Sequence, residues 1–87
     1  MAKPDYIEAH PHSDGHEAEL KSSEICGCFG CVSVFAPAEI EEWIEEPNSH
    51  ERTALCPFCN LDAVIGSASG YPITVEFLET MRRYWFA

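Results

Sequence analysis

Positive charge is what this chain has least of. Five lysines and arginines stand against fifteen aspartates and glutamates in 87 residues, a formal net charge of −10. A protein that holds nucleic acid by neutralising phosphates needs a broad basic face, which so few cations do not build, so direct nucleic-acid binding is not expected. Long hydrophobic runs are missing too. No apolar stretch approaches the roughly 20 residues that cross a bilayer, and no cationic start leads into the kind of apolar segment that directs secretion. Neither a phosphate-cradling glycine loop nor an H-E-x-x-H pattern is present, so the usual marks of nucleotide and metallohydrolase chemistry are absent. The expectation is a cytoplasmic chain without membrane contact and without enzymatic activity. Hydrophobic residues make up 46% of it, which suits a globular core and not a disordered chain.

Size then becomes the physical problem. Below roughly 70–80 residues one core leaves little net stability, and such domains are often stapled by metal or disulfides. Residues 1–16 contain Pro4, Pro11 and Gly15 but few large apolar side chains. They read as a flexible tail, with 17–87 as the single folded domain, so a staple is expected.

Cysteine spacing supplies it. Two C-x2-C pairs, Cys28-Phe29-Gly30-Cys31 and Cys56-Pro57-Phe58-Cys59, are separated by 24 residues. A C-x2-C turn brings two thiolates within reach of one ion, and its backbone amides can hydrogen-bond the sulfurs. Two such turns facing each other give tetrahedral four-cysteine coordination, the usual structural zinc geometry. The predicted ligands are Cys28, Cys31, Cys56 and Cys59, with Zn2+ as the cofactor. Paired spacing in a reducing compartment argues against disulfides. Gly30 is placed to take a positive φ in the first turn. Val32 and Asn60 stand where many zinc knuckles carry glycine, and asparagine is the better of the two at adopting the left-handed region. The fifth cysteine, Cys26, has three readings: a substitute for Cys28 as ligand, a small buried residue beside the metal, or part of a second metal site with a tail histidine such as His16, His10 or His12.

The remaining residues read as packing around that site. Val32 to Phe35 and Thr53 to Leu55 suit short strands, and Leu61 to Ile65 suits a strand or a helical turn. Pro37 suits a first helical turn. From Ala38 to Glu46, Ile40, Trp43 and Ile44 recur at i, i+3 and i+4, which predicts an amphipathic helix with Glu39, Glu41, Glu42, Glu45 and Glu46 on its solvent face. Thr74 can cap a C-terminal helix in which Phe77, Leu78, Met81, Tyr84 and Trp85 form the apolar side. The predicted class is thus a small α+β, zinc-ribbon or treble-clef-like domain with short strands and two helices.

Taken together, Cys26 to Cys31, Phe35 to Trp43, Thr53 to Cys59, Leu61 to Gly66, Ser69 to Ile73 and Phe77 to Phe86 resemble a family of small bacterial proteins known only as cytoplasmic proteins. The resemblance covers roughly residues 22–87. It departs at Asn60, where the family's second motif, C-P-x-C-G, has glycine. It implies a cytoplasmic zinc-binding domain and no functional residues beyond the matching cysteines.

Three other chemistries bear on the same residues. The pair Cys56-Pro57-Phe58-Cys59 is similar to the redox motif of glutaredoxins, but that fold carries its motif after the first strand, and the other C-x2-C pair would be left unexplained. Two C-x2-C pairs in an acidic chain also resemble rubredoxin, with iron replacing zinc as an electron carrier. Finally, the run of glutamates suits a rigid acidic surface that attracts a basic partner protein, or, more narrowly, imitates nucleic acid as an inhibitor. The leading expectation is a structural zinc domain that binds a basic protein through Glu39, Glu41, Glu42, Glu45 and Glu46.

Overall fold

The computed structural model describes residues 5–13, 15–47 and 51–86. Five short strands and three α-helices, linked by 3-10 turns, form a small α+β domain. The central strand is β1 (Cys26–Cys28). It pairs antiparallel with β2 (Ser33–Phe35) on one side and β5 (Val64–Gly66) on the other, giving the order β2-β1-β5. Register places Gly27 opposite Val34 and Ile65, and Cys26 opposite Phe35 and Gly66. Because side chains alternate across a strand, Gly27 faces one side of the sheet while Cys26 and Cys28 face the other.

Helix α3 (Val75–Phe86) covers the Gly27 side. Thr74 caps it as expected: the Phe77 amide donates to Thr74 Oγ1 at 3.2 Å. Leu78 and Met81 are fully buried. A Cβ on Gly27 would lie 2.7 Å from one Leu78 methyl and 3.0 Å from Ile73, so only glycine lets the helix approach this closely. Glu79 and Arg83 form an i,i+4 pair at 3.8 Å, whereas Arg82 reaches out of the helix and donates from Nε to the Gly30 carbonyl at 3.2 Å.

Among the described residues of the first segment, 5–13 fold into two short helical turns that join the domain. Helix α1 (Asp5–Glu8), a 3-10 turn over His10–Ser13 and helix α2 (Glu17–Lys21) pack against the sheet and α3. Residues 1–4 and 14 of the stretch expected to be flexible lie outside the described residues. Ala9 and Leu20 are fully buried. Rings do much of the joining: Tyr6 meets Tyr84 at 5.0 Å, His10 stacks on Trp85 at 4.0 Å, and the Trp85 indole donates to the Tyr6 carbonyl at 3.0 Å. Aromatic contacts of this kind add about 0.5–1.5 kcal/mol each beyond area burial.

The acidic helix expected over Ala38 to Glu46 is not formed. Pro37–Glu39 make one 3-10 turn, and Trp43–Ile44 form β3, which pairs with β4 (Thr53–Ala54). A helix here would place glutamates at neighbouring i, i+3 and i+4 positions with no cation to offset them, and Pro47 would cut it short. Pairing with β4 satisfies the backbone without that repulsion. Ile40 is still buried and Trp43 half-buried. Lys21 and Arg52 lie over the Trp43 ring at 5.7 and 5.6 Å. Arg52 also grips Glu17 with two hydrogen bonds of 2.9 and 2.6 Å. Those bonds, with help from Lys21, lower the Glu17 carboxyl from 4.5 to about 2. Glu17 therefore supports the fold above its ordinary pKa, and that support fades as pH falls towards about 2.

His16 ties the first segment to β4. Its Nδ1 donates to the His12 carbonyl at 2.6 Å, and its Nε2 accepts the buried Ala54 amide at 3.2 Å. An Nε2 that accepts a backbone N–H carries no proton, so the ring is neutral. We expect His16→Leu to cost about 1–3 kcal/mol by leaving the Ala54 amide without a partner, read as a lower urea midpoint at unchanged metal content. No helix among the described residues is long and apolar enough to cross a membrane.

Candidate metal centre

The first C-x2-C pair sits on the hairpin between β1 and β2, and the second on the loop between β4 and β5. Sheet register sets their approach. Phe29, inside the first knuckle, donates its amide to the Ala63 carbonyl at 3.0 Å, one residue ahead of β5. Cys56 donates to the Leu61 carbonyl at 2.9 Å, closing the second knuckle at its base, and the Asn60 amide donates to the Cys56 carbonyl at 2.9 Å.

The result is convergence of Cys28, Cys31, Cys56 and Cys59, whose sulfurs all lie within 4.8 Å of one another. Cys28 Sγ is 3.6 Å from Cys59 Sγ, and Cys31 Sγ is 3.7 Å from Cys56 Sγ. Four sulfurs held tetrahedrally about 2.3 Å from one ion stand about 3.8 Å apart. The closest approaches thus fit a single four-coordinate metal, and all five cysteines are free thiols. Backbone amides turn towards the sulfurs as a knuckle requires: Gly30 N–H to Cys28 Sγ at 3.3 Å, and Phe58 N–H to Cys56 Sγ at 3.4 Å.

Burial grades the four ligands. Cys28 and Cys56 are buried, Cys59 half-buried and Cys31 exposed. Desolvation pushes the Cys28 thiol far up, although the Cys31 and Gly30 amides oppose it, and burial also raises Cys59. At Cys31 burial acts upward as well, but hydrogen bonds from Ser33 Oγ (3.0 Å) and the neighbouring thiols outweigh it and lower the pKa. A divalent ion favours the thiolate at every one of these positions. Arg82, bonded to the Gly30 carbonyl, brings a positive charge to the edge of the first knuckle, next to Cys31.

Among the described residues, Cys26 and His16 stand outside the four-cysteine cluster. Cys26 is fully buried, outside the four-sulfur cluster, and its thiol is pushed up to about 11 by burial. Its burial accords with the reading of a small buried residue. The His16 ring is committed at both nitrogens, His12 Nδ1 bonds Glu19 at 2.9 Å, and His10 stacks on Trp85.

The backbone strain falls elsewhere than expected. Gly30 is not left-handed; a Cβ there would lie 2.6 Å from the terminal methyl of the exposed Leu61, which would have to swing aside. Among the described residues the non-glycine left-handed ones are Val32 (φ 59°) and Asn60 (φ 65°), each directly after the second cysteine of its pair. A non-glycine residue costs roughly 1–2 kcal/mol in this region, asparagine least among them. Val32 already carries that cost. Asn60 is exposed, so its replacement isolates the backbone effect: Asn60→Val is expected to lower stability by about 1–2 kcal/mol, while Asn60→Gly does not. Chemical denaturation of the metal-loaded protein distinguishes the two.

Set against known proteins, the chain matches no family model, no curated protein and no solved structure. The fold and site together define a small α+β domain of zinc-ribbon or treble-clef-like character built on a four-cysteine cluster. Of the resemblance read from the sequence, that cluster is the part the structure carries.

Proposed function

We propose that this chain is a structural zinc domain acting as a cytoplasmic protein-interaction module, with a basic protein as its partner. The observation that carries the reading is the convergence of four thiols at tetrahedral spacing. A complete four-cysteine shell leaves no open position for substrate, which suits a structural ion and a non-enzymatic role. The partner surface is the stretch 39–46. Glu39, Glu41, Glu42 and Glu45 are exposed there. Glu39 is tied back to the Ala36 amide, and Glu46 accepts from Thr53 Oγ1. The carboxylates of Glu41 and Glu42 take part in no hydrogen bond or ion pair among the described residues, leaving both to attract a cation. The same ligand set accepts iron, as in rubredoxin, and membership of the small bacterial family suggested by the sequence belongs with the zinc reading.

Metal analysis of untagged protein tests the cofactor: one zinc per chain and no visible colour are expected, whereas a coloured, redox-active preparation with one iron replaces zinc by the electron-carrier reading. Affinity capture from the native cell tests the role. A partner retained by the wild type is expected to be lost in Glu41→Gln/Glu42→Gln and at high salt; capture that is indifferent to both counts against a basic partner.

A further inference from the structure

We infer that the tip of the second knuckle is the docking point, and that it takes a partner segment in which a large apolar side chain lies beside a lysine or arginine. This rests on the basic-partner reading above and adds where the contact is centred. Phe58, between ligands Cys56 and Cys59, is 63% exposed, the most of the exposed large hydrophobic residues. Its loop is short and anchored by the Phe58 amide on Cys56 Sγ, with Cys56 in turn bonded to the Leu61 carbonyl. The ring rests edge-on against the buried Phe35 at 5.9 Å. An aromatic side chain held in this way loses little freedom on binding, and aromatic anchors of this kind dominate interface energetics.

Charge decides the occupant. Pro57, next to Phe58, forms one wall of a small cleft of about 70 Å3, lined also by Glu41, Glu42, Leu55, Cys56 and Asn60. The Leu55 amide donates to the Glu42 carbonyl at 3.0 Å, which fixes the acidic strand beside the knuckle. Asp62 is exposed just beyond it. A wholly apolar partner would desolvate these carboxylates without return, and a wholly basic one would leave the phenyl ring in water. A segment carrying both features satisfies both.

The probe is a random peptide library displayed on phage and panned on the metal-loaded full chain. Enriched peptides are expected to pair an aromatic or branched aliphatic residue with a lysine or arginine within two positions. Binding of such a peptide should fall at least about tenfold in Phe58→Ser, as for a central interface residue, with metal content unchanged and the chain still folded at the assay temperature. In the wild-type chain it should shift the backbone amide NMR signals of residues 57–62, a readout that needs no variant. Basic peptides that bind Phe58→Ser as well as wild type, or leave those signals unmoved, would overturn the knuckle-tip site and keep the basic-partner reading. Enrichment of peptides without cations, or no enrichment at all, would overturn both.

Discussion

Stripped of its metal by a chelator, the domain is expected to lose its cooperative unfolding transition altogether. Structural zinc bound by small cysteine and histidine sites contributes an apparent 10–16 kcal/mol or so at neutral pH, and that free energy is folding free energy. A chain of 87 residues has a total stability of only about 4–13 kcal/mol at the usual 0.05–0.15 per residue. The four sulfurs join the β1–β2 hairpin to the loop before β5, so removing the ion releases both ends of the sheet. Near-ultraviolet circular dichroism from Trp43 and Trp85 should collapse with metal loss and return when zinc is restored. Cys56→Ser, at a buried ligand, should behave like the chelated protein. A metal-free chain that still melts cooperatively would refute the structural role.

Acid should act in the same direction. In the metal-free chain a cysteine thiol, with an ordinary pKa of about 8.5, carries its proton at neutral pH. Binding a divalent ion expels those protons, and a falling pH therefore favours the metal-free form. Metal release and unfolding should coincide on acid titration, at a higher pH than the range in which Glu17 loses its charge.

The second large effect is expected from Leu78→Ala. Core substitutions of this type cost about 2–5 kcal/mol, and the spread reflects how far the surroundings can collapse into the cavity. Here they can do so very little. The Leu78 methyls lie over Gly27 of the central strand, so the wall opposite the cavity has no side chain to swing in. A loss of about 3–5 kcal/mol is expected in denaturant titrations of protein with full metal content. A loss below about 1 kcal/mol would mean that α3 reseats on the sheet.

The metal site was readable because its signal is local: two cysteines three positions apart fold into a turn whatever surrounds them. Thr74 was readable for the same reason, since a cap depends on residues within one turn. The acidic stretch misled because Ile40, Trp43 and Ile44 fit a helix by spacing, while the strand they adopt depends on Thr53 and Ala54, which lie further along the chain. The first segment was missed because it docks with small and ring-bearing residues, namely Ala9, Tyr6 and His10, which add little to a hydrophobic tally. Asn60 carried a hint of left-handed backbone in its place and in its residue type; Val32 carried it in its place alone, because a β-branched residue is among the least suited to that conformation.

The pairing of Tyr6 with Trp85 spans 79 positions, and this fixes an order of events in time. A ribosome adding about 5–20 residues per second delivers Trp85 roughly 4–16 s after Tyr6. Until then the opening helical turns have only the earlier ring contacts of His10 with Phe29 and of His12 with Tyr71. The first knuckle waits less: Cys56 follows Cys31 by 25 positions, about 1–5 s at the same rate. Maturation would therefore start at the four-cysteine cluster and finish at the two ends of the fold, with Cys28 and Cys31 the first of the four clustered thiols to be made.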